Sequence, residues 1–163
     1  MPSPEHESEE ERLNRNFEDL LQELRVSQNG TQILFAFLLT VPFTSGFKDV
    51  TDVQKAVYFA ALLLSGMSAA MLIAPAVMHR ILFRTGLKKE LVYAASRVAL
   101  GGQIVLTLAV TASVYLISSF LYGPVAGLVI ALGMFLYWVL WFFVVPIRIL
   151  TRHHAWDDKD SST

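Results

Sequence analysis

Three long stretches of the chain carry no Asp, Glu, Lys, Arg or His: residues 31–47, 56–78 and 98–147. A helix needs roughly 20 apolar residues to cross a hydrocarbon core of about 30 Å. The first two stretches each have room for one such helix, and the third has room for two. The pattern therefore predicts four membrane spans, at about residues 31–47, 54–78, 93–120 and 124–147.

The limits of these spans carry capping and turn signals. Thr51 or Asp52 is well placed to cap the second span, because a short oxygen-bearing side chain accepts the N–H groups that a helix start leaves free. The long third stretch divides at Leu121-Tyr122-Gly123. Pro124 follows directly, and proline suits the first turn of a helix, so the fourth span is expected to begin there.

Residues 12–28, ahead of the first span, have the spacing of an amphipathic helix. Apolar residues recur every three or four positions, at Leu13, Phe17, Leu20, Leu21 and Leu24, and charged residues occupy much of the other face. We expect this helix to lie on the membrane surface and lead into the first span. Docking against the basic loop after the second span is the alternative, since the acidic face would be repelled by anionic lipid.

The segments together predict an all-α membrane protein, in which an N-terminal amphipathic helix precedes a four-transmembrane-helix bundle at residues 29–150. Residues 1–11 are acidic and polar and are expected to be disordered, and residues 151–163 form a polar tail. The composition agrees, with 54% hydrophobic and 17% charged residues. The N-terminus lacks the basic and apolar regions of a cleavable secretory signal, so the first span is expected to act as its own insertion signal.

Orientation follows from the distribution of positive charge. Of the 13 Lys and Arg residues, all but Lys48 and Lys55 fall before the first span, in or beside the loop between the second and third spans, or after the fourth. Positive charge concentrates in cytoplasmic segments of membrane proteins. We therefore predict a multi-pass protein of the cell inner (plasma) membrane with both termini in the cytoplasm.

Small residues mark the expected contacts between spans. Gly123, Gly127 and Ala131 form a ridge on the fourth span, and Gly66 and Ala70 lie on one ridge of the second. Close packing of helices is the expected role of such ridges, because lipid supplies no hydrophobic drive for association. A homo-oligomer interface is the alternative.

Gln32 and Gln103 are the amides placed clearly inside the predicted spans. An unpaired amide in hydrocarbon is unfavourable by a few kcal/mol, so both are expected to form polar contacts between helices. A contact with a ligand or an ion is the alternative.

The residue types needed for catalysis are missing from the predicted spans. The chain has no Cys, no Gly-rich phosphate loop, no Ser beside an intramembrane base, and no paired carboxylates outside its polar ends. We predict no enzymatic activity, no cofactor and no metal site. The basic loop is a candidate contact for lipid headgroups or a protein partner, with nucleic acid not expected; its residues are Arg80, Arg84, Lys88 and Lys89.

Four runs resemble an uncharacterised family of small four-helix membrane proteins found in actinobacteria: RNFEDLLQELRV at 15–26, QILFAFLLTVPF at 32–43, LIAP at 72–75 and HRILFR at 79–84. The resemblance implies a four-helix membrane fold. Some members carry the label sodium:proton antiporter, but no functional residue comes with it. Antiporters normally use an Asp or Glu in the middle of the membrane, and the predicted spans have none.

The residues favour a non-enzymatic integral membrane protein of structural or accessory type. It would act on a partner through its N-terminal helix and basic loop, with the lipid bilayer, a membrane protein or a second copy as the expected partners. The alternative is a small transporter or channel whose pathway forms only in an oligomer.

Overall fold

The computed structural model describes residues 9–82 and 88–148, and helices account for nearly all of them. The prediction of an all-α chain is confirmed. The α-helices are α1 at Glu9–Thr40, α2 at Asp52–Ile81, α3 at Lys88–Tyr122 and α4 at Pro124–Val139. Two short 3-10 turns, Val41–Phe43 and Ser45–Asp49, connect α1 to α2, and a π-helical segment, Leu140–Val144, continues α4. Arg84, the polar tail and the first eight residues, all subjects of predictions above, lie outside the described residues.

Three of these four helices are long and apolar enough to cross a membrane: α2, α3, and α4 with its continuation to Arg148. The structure contains no membrane. In the described part of the chain α1 does not belong to this group, although it is 32 residues long. Charged residues fill its first half, and the polar run from Ser27 to Gln32 lowers the mean hydropathy of its second half.

The segment predicted as an amphipathic helix and the start of the predicted first span form one continuous helix, α1. Its buried side chains recur every seven residues, at Phe17, Leu24, Thr31 and Leu38. Seven residues make about two helical turns, so these positions lie along one side of the helix. This side packs against α2 and α3 from Phe17 to Leu38.

The helices α2 and α3 form a closely packed antiparallel pair at the centre of the fold. Ser68 Oγ donates a hydrogen bond of 2.9 Å to the Gly102 carbonyl. A Cβ added at Gly102 would lie 2.9 Å from Leu72 Cδ2, so only glycine fits this contact without a shift. Small side chains therefore bring the two backbones together.

The last helix, α4, lies outside this group. Among the described residues it packs against α3 but not against α1 or α2. Within an apolar stretch of 18 residues in each helix, only 6% of α4 is buried, compared with 28% for α2 and 33% for α3. The single chain therefore forms a three-helix group with α4 attached to one side, which is more open than the bundle predicted from the sequence.

The turn between α3 and α4 is a single residue, Gly123, with a φ of +87°. Glycine adopts this left-handed conformation without the steric penalty of a side chain. Pro124 begins α4, as predicted.

At the start of α2 the cap is Thr51. Its side chain accepts a hydrogen bond from the Gln54 N–H, and the Gln54 side chain accepts one from the Thr51 N–H.

Candidate interaction site on the first helix

The first half of α1 docks against the ends of α2 and α3. Phe17 is 6% exposed and packs with Leu91 and Ala95 of α3. Its ring also stacks on that of His79 in α2, with centroids 5.0 Å apart and planes 20° apart. These two helix ends flank the basic loop, so the contacts favour docking over attachment to a lipid surface.

The opposite face of this half is exposed and carries a small excess of acidic side chains. Between residues 11 and 25, four acidic and three basic side chains are exposed: Glu11, Glu18, Asp19 and Glu23, with Arg12, Arg15 and Arg25. The neighbouring ends of α2 and α3 expose Arg80, Lys89 and Arg97, while Lys88 opens α3 and its side chain is not described. One end of the molecule thus presents an acidic helix beside basic helix ends, an arrangement that opposite charges stabilise.

Two amides fix α1 midway along its length. Gln28 Nε2 donates to the Leu72 carbonyl of α2 at 2.7 Å. Pro75 lies nearby in α2 and lacks the N–H that would bond the Met71 carbonyl, so Gln28 adds a donor to a stretch of α2 in which one helical hydrogen bond is missing. On the other flank Gln103 Nε2, from α3, donates to Ser27 Oγ.

The other amide singled out from the sequence, Gln32, is exposed on α1. Within the described chain it forms no hydrogen bond to another helix, and the contact expected of it is made by Gln28, one turn earlier. Gln28 falls in the polar run from Ser27 to Gln32, a sequence pattern that indicates either a bend or the entry to the first span. Because the helix continues through that run, Gln28 faces α2.

A tyrosine that the sequence analysis did not select holds the far end of α1. Tyr58 is 7% exposed, and its hydroxyl donates to the Leu38 carbonyl at 3.0 Å. In an uninterrupted helix that carbonyl would accept the N–H of residue 42, which is proline and has none. Pro42 was therefore the signal in the sequence for a donor from another helix.

The small residues of α4 produce its contact with α3. Gly127 and Ala131 are buried, and a Cβ added at Gly127 would lie 2.7 Å from the Ser119 backbone N and 2.7 Å from its Cβ. Gln54 Nε2 donates to Ser119 Oγ at 3.1 Å, which ties α2 to the same point. On α2, Gly66 lies against the Phe35 ring of α1, whereas Ala70 is exposed.

Several buried hydroxyls donate hydrogen bonds to backbone carbonyls. Thr31 Oγ donates to Ser27 O, Ser65 Oγ to Leu62 O and Thr107 Oγ1 to Gln103 O, at 2.8 to 3.0 Å. Thr31 and Ser65 are fully buried. Such bonds satisfy the hydroxyl within its own helix, so these groups act as packing elements.

Two concave regions flank the helices. An apolar cavity of about 260 Å³ lies between the end of α1, the 3-10 turns and α3, with Phe37, Phe47 and Phe120 in its wall. A groove of about 250 Å³ runs along α3 between Gln103 and Phe142. Neither holds a cluster of metal-ligating side chains, and none occurs elsewhere in the described residues.

Comparison with known proteins identifies a family. The model of a family of unknown function, DUF6328, matches residues 6–146, so the chain belongs to that family. No curated protein and no solved structure matches the chain.

Proposed function

We propose that this DUF6328 protein is a non-enzymatic integral membrane protein that supports a partner through its first helix. The observation that carries the proposal is the form of α1, a single helix with an exposed acidic first half and a buried side anchored to α2 and α3. Such a helix holds a recognition surface in a fixed position relative to the membrane. Its partner would be a protein with a basic surface.

The proposed topology has four spans and cytoplasmic termini in the plasma membrane. It is supported by the charge distribution and by the Phe17 contacts, because Arg80, Lys89 and Arg97 lie at the end of the molecule where α1 begins. Lys48 and Lys55 are at the opposite end. Reporter fusions after Asp160 and between 84 and 89 should report cytoplasm, and a fusion at Asp49 should report the exterior. A cytoplasmic Asp49 fusion would refute this topology.

The test of the partner function is a comparison of charge-reversed variants. Glu18→Lys changes the acidic face of α1 without touching its buried side, and Asp49→Lys makes the same change at the other end of the molecule. Purified from native membranes, the Glu18→Lys protein should lose proteins that copurify with the parent and with Asp49→Lys. Equal recovery with both variants would exclude the α1 face as the binding surface.

A second candidate, a transporter acting as an oligomer, has one observation in its favour. Glu23 directly precedes Leu24, and Leu24 packs against Leu72 of α2 and Ala99 of α3. Glu23 therefore lies at about the same height in the fold as Leu72, which is seven residues before His79 along α2. That is about 10 Å from the end of the uncharged stretch of α2. Sodium-dependent dissipation of a proton gradient in protein-containing vesicles, lost in Glu23→Gln, would favour transport. We expect no difference from empty vesicles.

A further inference from the structure

The exposed side of α1 carries amides with no partner in the fold. Asn29 and Gln32 are exposed, and among the described residues neither side chain forms a hydrogen bond. Ala36 and Thr40 continue the same side of the helix at spacings of four residues, and both are exposed. We call Asn29, Gln32 and Ala36 the amide stripe.

The amide stripe lies beside the middle of the uncharged stretch of α2. Gln28 bonds the Leu72 carbonyl, and the Phe35 ring lies against Gly66, so Gln32 is level with a point between these two residues. Lys55 is 11 residues beyond Gly66 and His79 is seven beyond Leu72, or about 16 Å and 10 Å along the helix. If α2 crosses the bilayer as proposed above, Gln32 faces hydrocarbon.

An amide in that position is stable only with a hydrogen-bonding partner. Hydrocarbon offers it no hydrogen bond, and its transfer there from water is strongly unfavourable. Small and polar residues in place of large apolar ones are typical of contacts between transmembrane helices, where backbones approach closely and amides bond across the interface. The stripe therefore has the composition of a contact surface.

We propose that the amide stripe is where α1 meets α1 of a second copy of this chain in the membrane. This inference rests on the proposed function, because it requires α1 to lie within the bilayer. A primary amide both donates and accepts, so it can pair with its own copy. Two copies of equal topology, related by a two-fold axis along the membrane normal, bring each residue opposite its counterpart at the same depth.

The rest of the helix is compatible with this contact. Gln32 is about 100° around α1 from the buried Thr31, so the second copy leaves the contacts with α2 and α3 in place. Arg25 lies one turn before Asn29 on the same exposed side. Repulsion between the two Arg25 side chains favours helices that cross near Gln32 and diverge toward the N-terminus.

Crosslinking tests the arrangement directly, because the chain contains no cysteine of its own. Ala36→Cys introduces a thiol in the stripe and leaves both amides intact. Met67→Cys is the matched control, since Met67 is 56% exposed and adjoins Gly66, which packs against Phe35. Oxidation in native membranes should give a covalent dimer with Ala36→Cys and little with Met67→Cys. Equal dimer from both would indicate random collision and overturn the proposal.

Energy transfer between labelled copies in vesicles tests the amides. Gln32→Leu keeps the helix apolar but removes the amide, and should weaken self-association about threefold to tenfold, whereas Gln32→Asn should retain most of it. Unchanged association in Gln32→Leu, or crosslinking of Ala36→Cys only to a different protein, would refute the interface between copies.

Carbonate extraction separates this inference from the proposed function. A chain that is monomeric yet resists carbonate extraction from membranes would refute the interface between copies and leave the proposed membrane function standing. A chain that carbonate releases would refute the proposed membrane function as well.

Discussion

The helix α1 packs on both members of the central α2–α3 pair, whereas α4 packs on α3 alone, and the two contacts are made by different means. The first is anchored between Phe17 and Leu38 by a buried side chain every seven residues and by hydrogen bonds to and from α2 and α3. The last leaves its large apolar side chains exposed and approaches α3 closely at Gly127 and Ala131. Directional polar contacts thus hold a helix that is only partly apolar, while a short steric contact holds a helix that is apolar on nearly all sides.

The comparison also separates two kinds of exposed surface. Exposed Leu128, Val129 and Leu132 on α4 are suited to lipid, and their exposure needs no further explanation. Exposed amides on α1 are not suited to lipid. The polar helix is therefore the part of the molecule from which partner contacts are expected, on its acidic face and on its amide stripe.

One of the two largest effects is expected from a side chain placed in the steric contact of α4. Gly127→Ile would put Cβ 2.7 Å from the Ser119 backbone N, so α4 must move away from α3. Overpacking of a tight core contact typically costs 1–3 kcal/mol, and a backbone neighbour cannot yield easily, so we expect about 3 kcal/mol or more. Thermal unfolding in detergent measures it.

Leu128→Ile is the control for that substitution, because Leu128 is 61% exposed. It should unfold like the parent. If Leu128→Ile lowers the unfolding temperature and Gly127→Ile does not, then Gly127 faces lipid and the contact between α3 and α4 is wrong.

Truncation of the buried aromatic side chain should release the first half of α1. Phe17→Ala removes the ring that packs on Leu91, Ala95 and His79, and buried Phe→Ala changes cost about 3–5 kcal/mol. Limited proteolysis should then cut α1 within residues 12–25 at a higher rate. Phe37→Ala, at a ring that is 56% exposed on the same helix, should leave the rate unchanged. Equal protection in both variants would contradict the docked position of α1.

A smaller effect is expected at the other end of α1. Tyr58→Phe leaves the ring in place but removes the donor to the Leu38 carbonyl, which Pro42 deprives of its helical partner. Loss of one buried hydrogen bond costs about 1–2 kcal/mol. The unfolding temperature in detergent should fall accordingly. Tyr122→Phe, at an exposed side chain, is the control, and an equal fall in both variants would show that the Leu38 bond contributes nothing.

The smallest effect is expected from the amide of α3. Gln103→Leu removes the hydrogen bond to Ser27, and interhelical hydrogen bonds of this kind in membrane proteins average about 0.6 kcal/mol. A denaturant titration in mixed micelles should resolve the change. Ser27→Ala combined with Gln103→Leu should add nothing further, because either substitution alone breaks the bond; additive losses would mean that the two residues act independently.

The sequence by itself determined the helical class and the division of the chain. Uncharged stretches, the Thr51 cap and the Gly123-Pro124 turn are local signals, and the helices begin and end close to where those signals lie. The small residues around Gly127 also indicated a close contact, because a glycine on an apolar helix allows the backbone of a neighbouring helix to approach.

Only the tertiary structure decided the orientation of α1 and which of its polar side chains form hydrogen bonds to other helices. Whether residues 27–32 bend or continue as helix depends on the neighbours that stabilise them, and continuation turns Gln28 inward and Gln32 outward. Amides three or four residues apart look alike in the sequence, since each has the same chemistry. The orientation of α1 against α2 and α3 distinguishes them, because burial of Phe17, Leu24, Thr31 and Leu38 fixes the rotation of the whole helix.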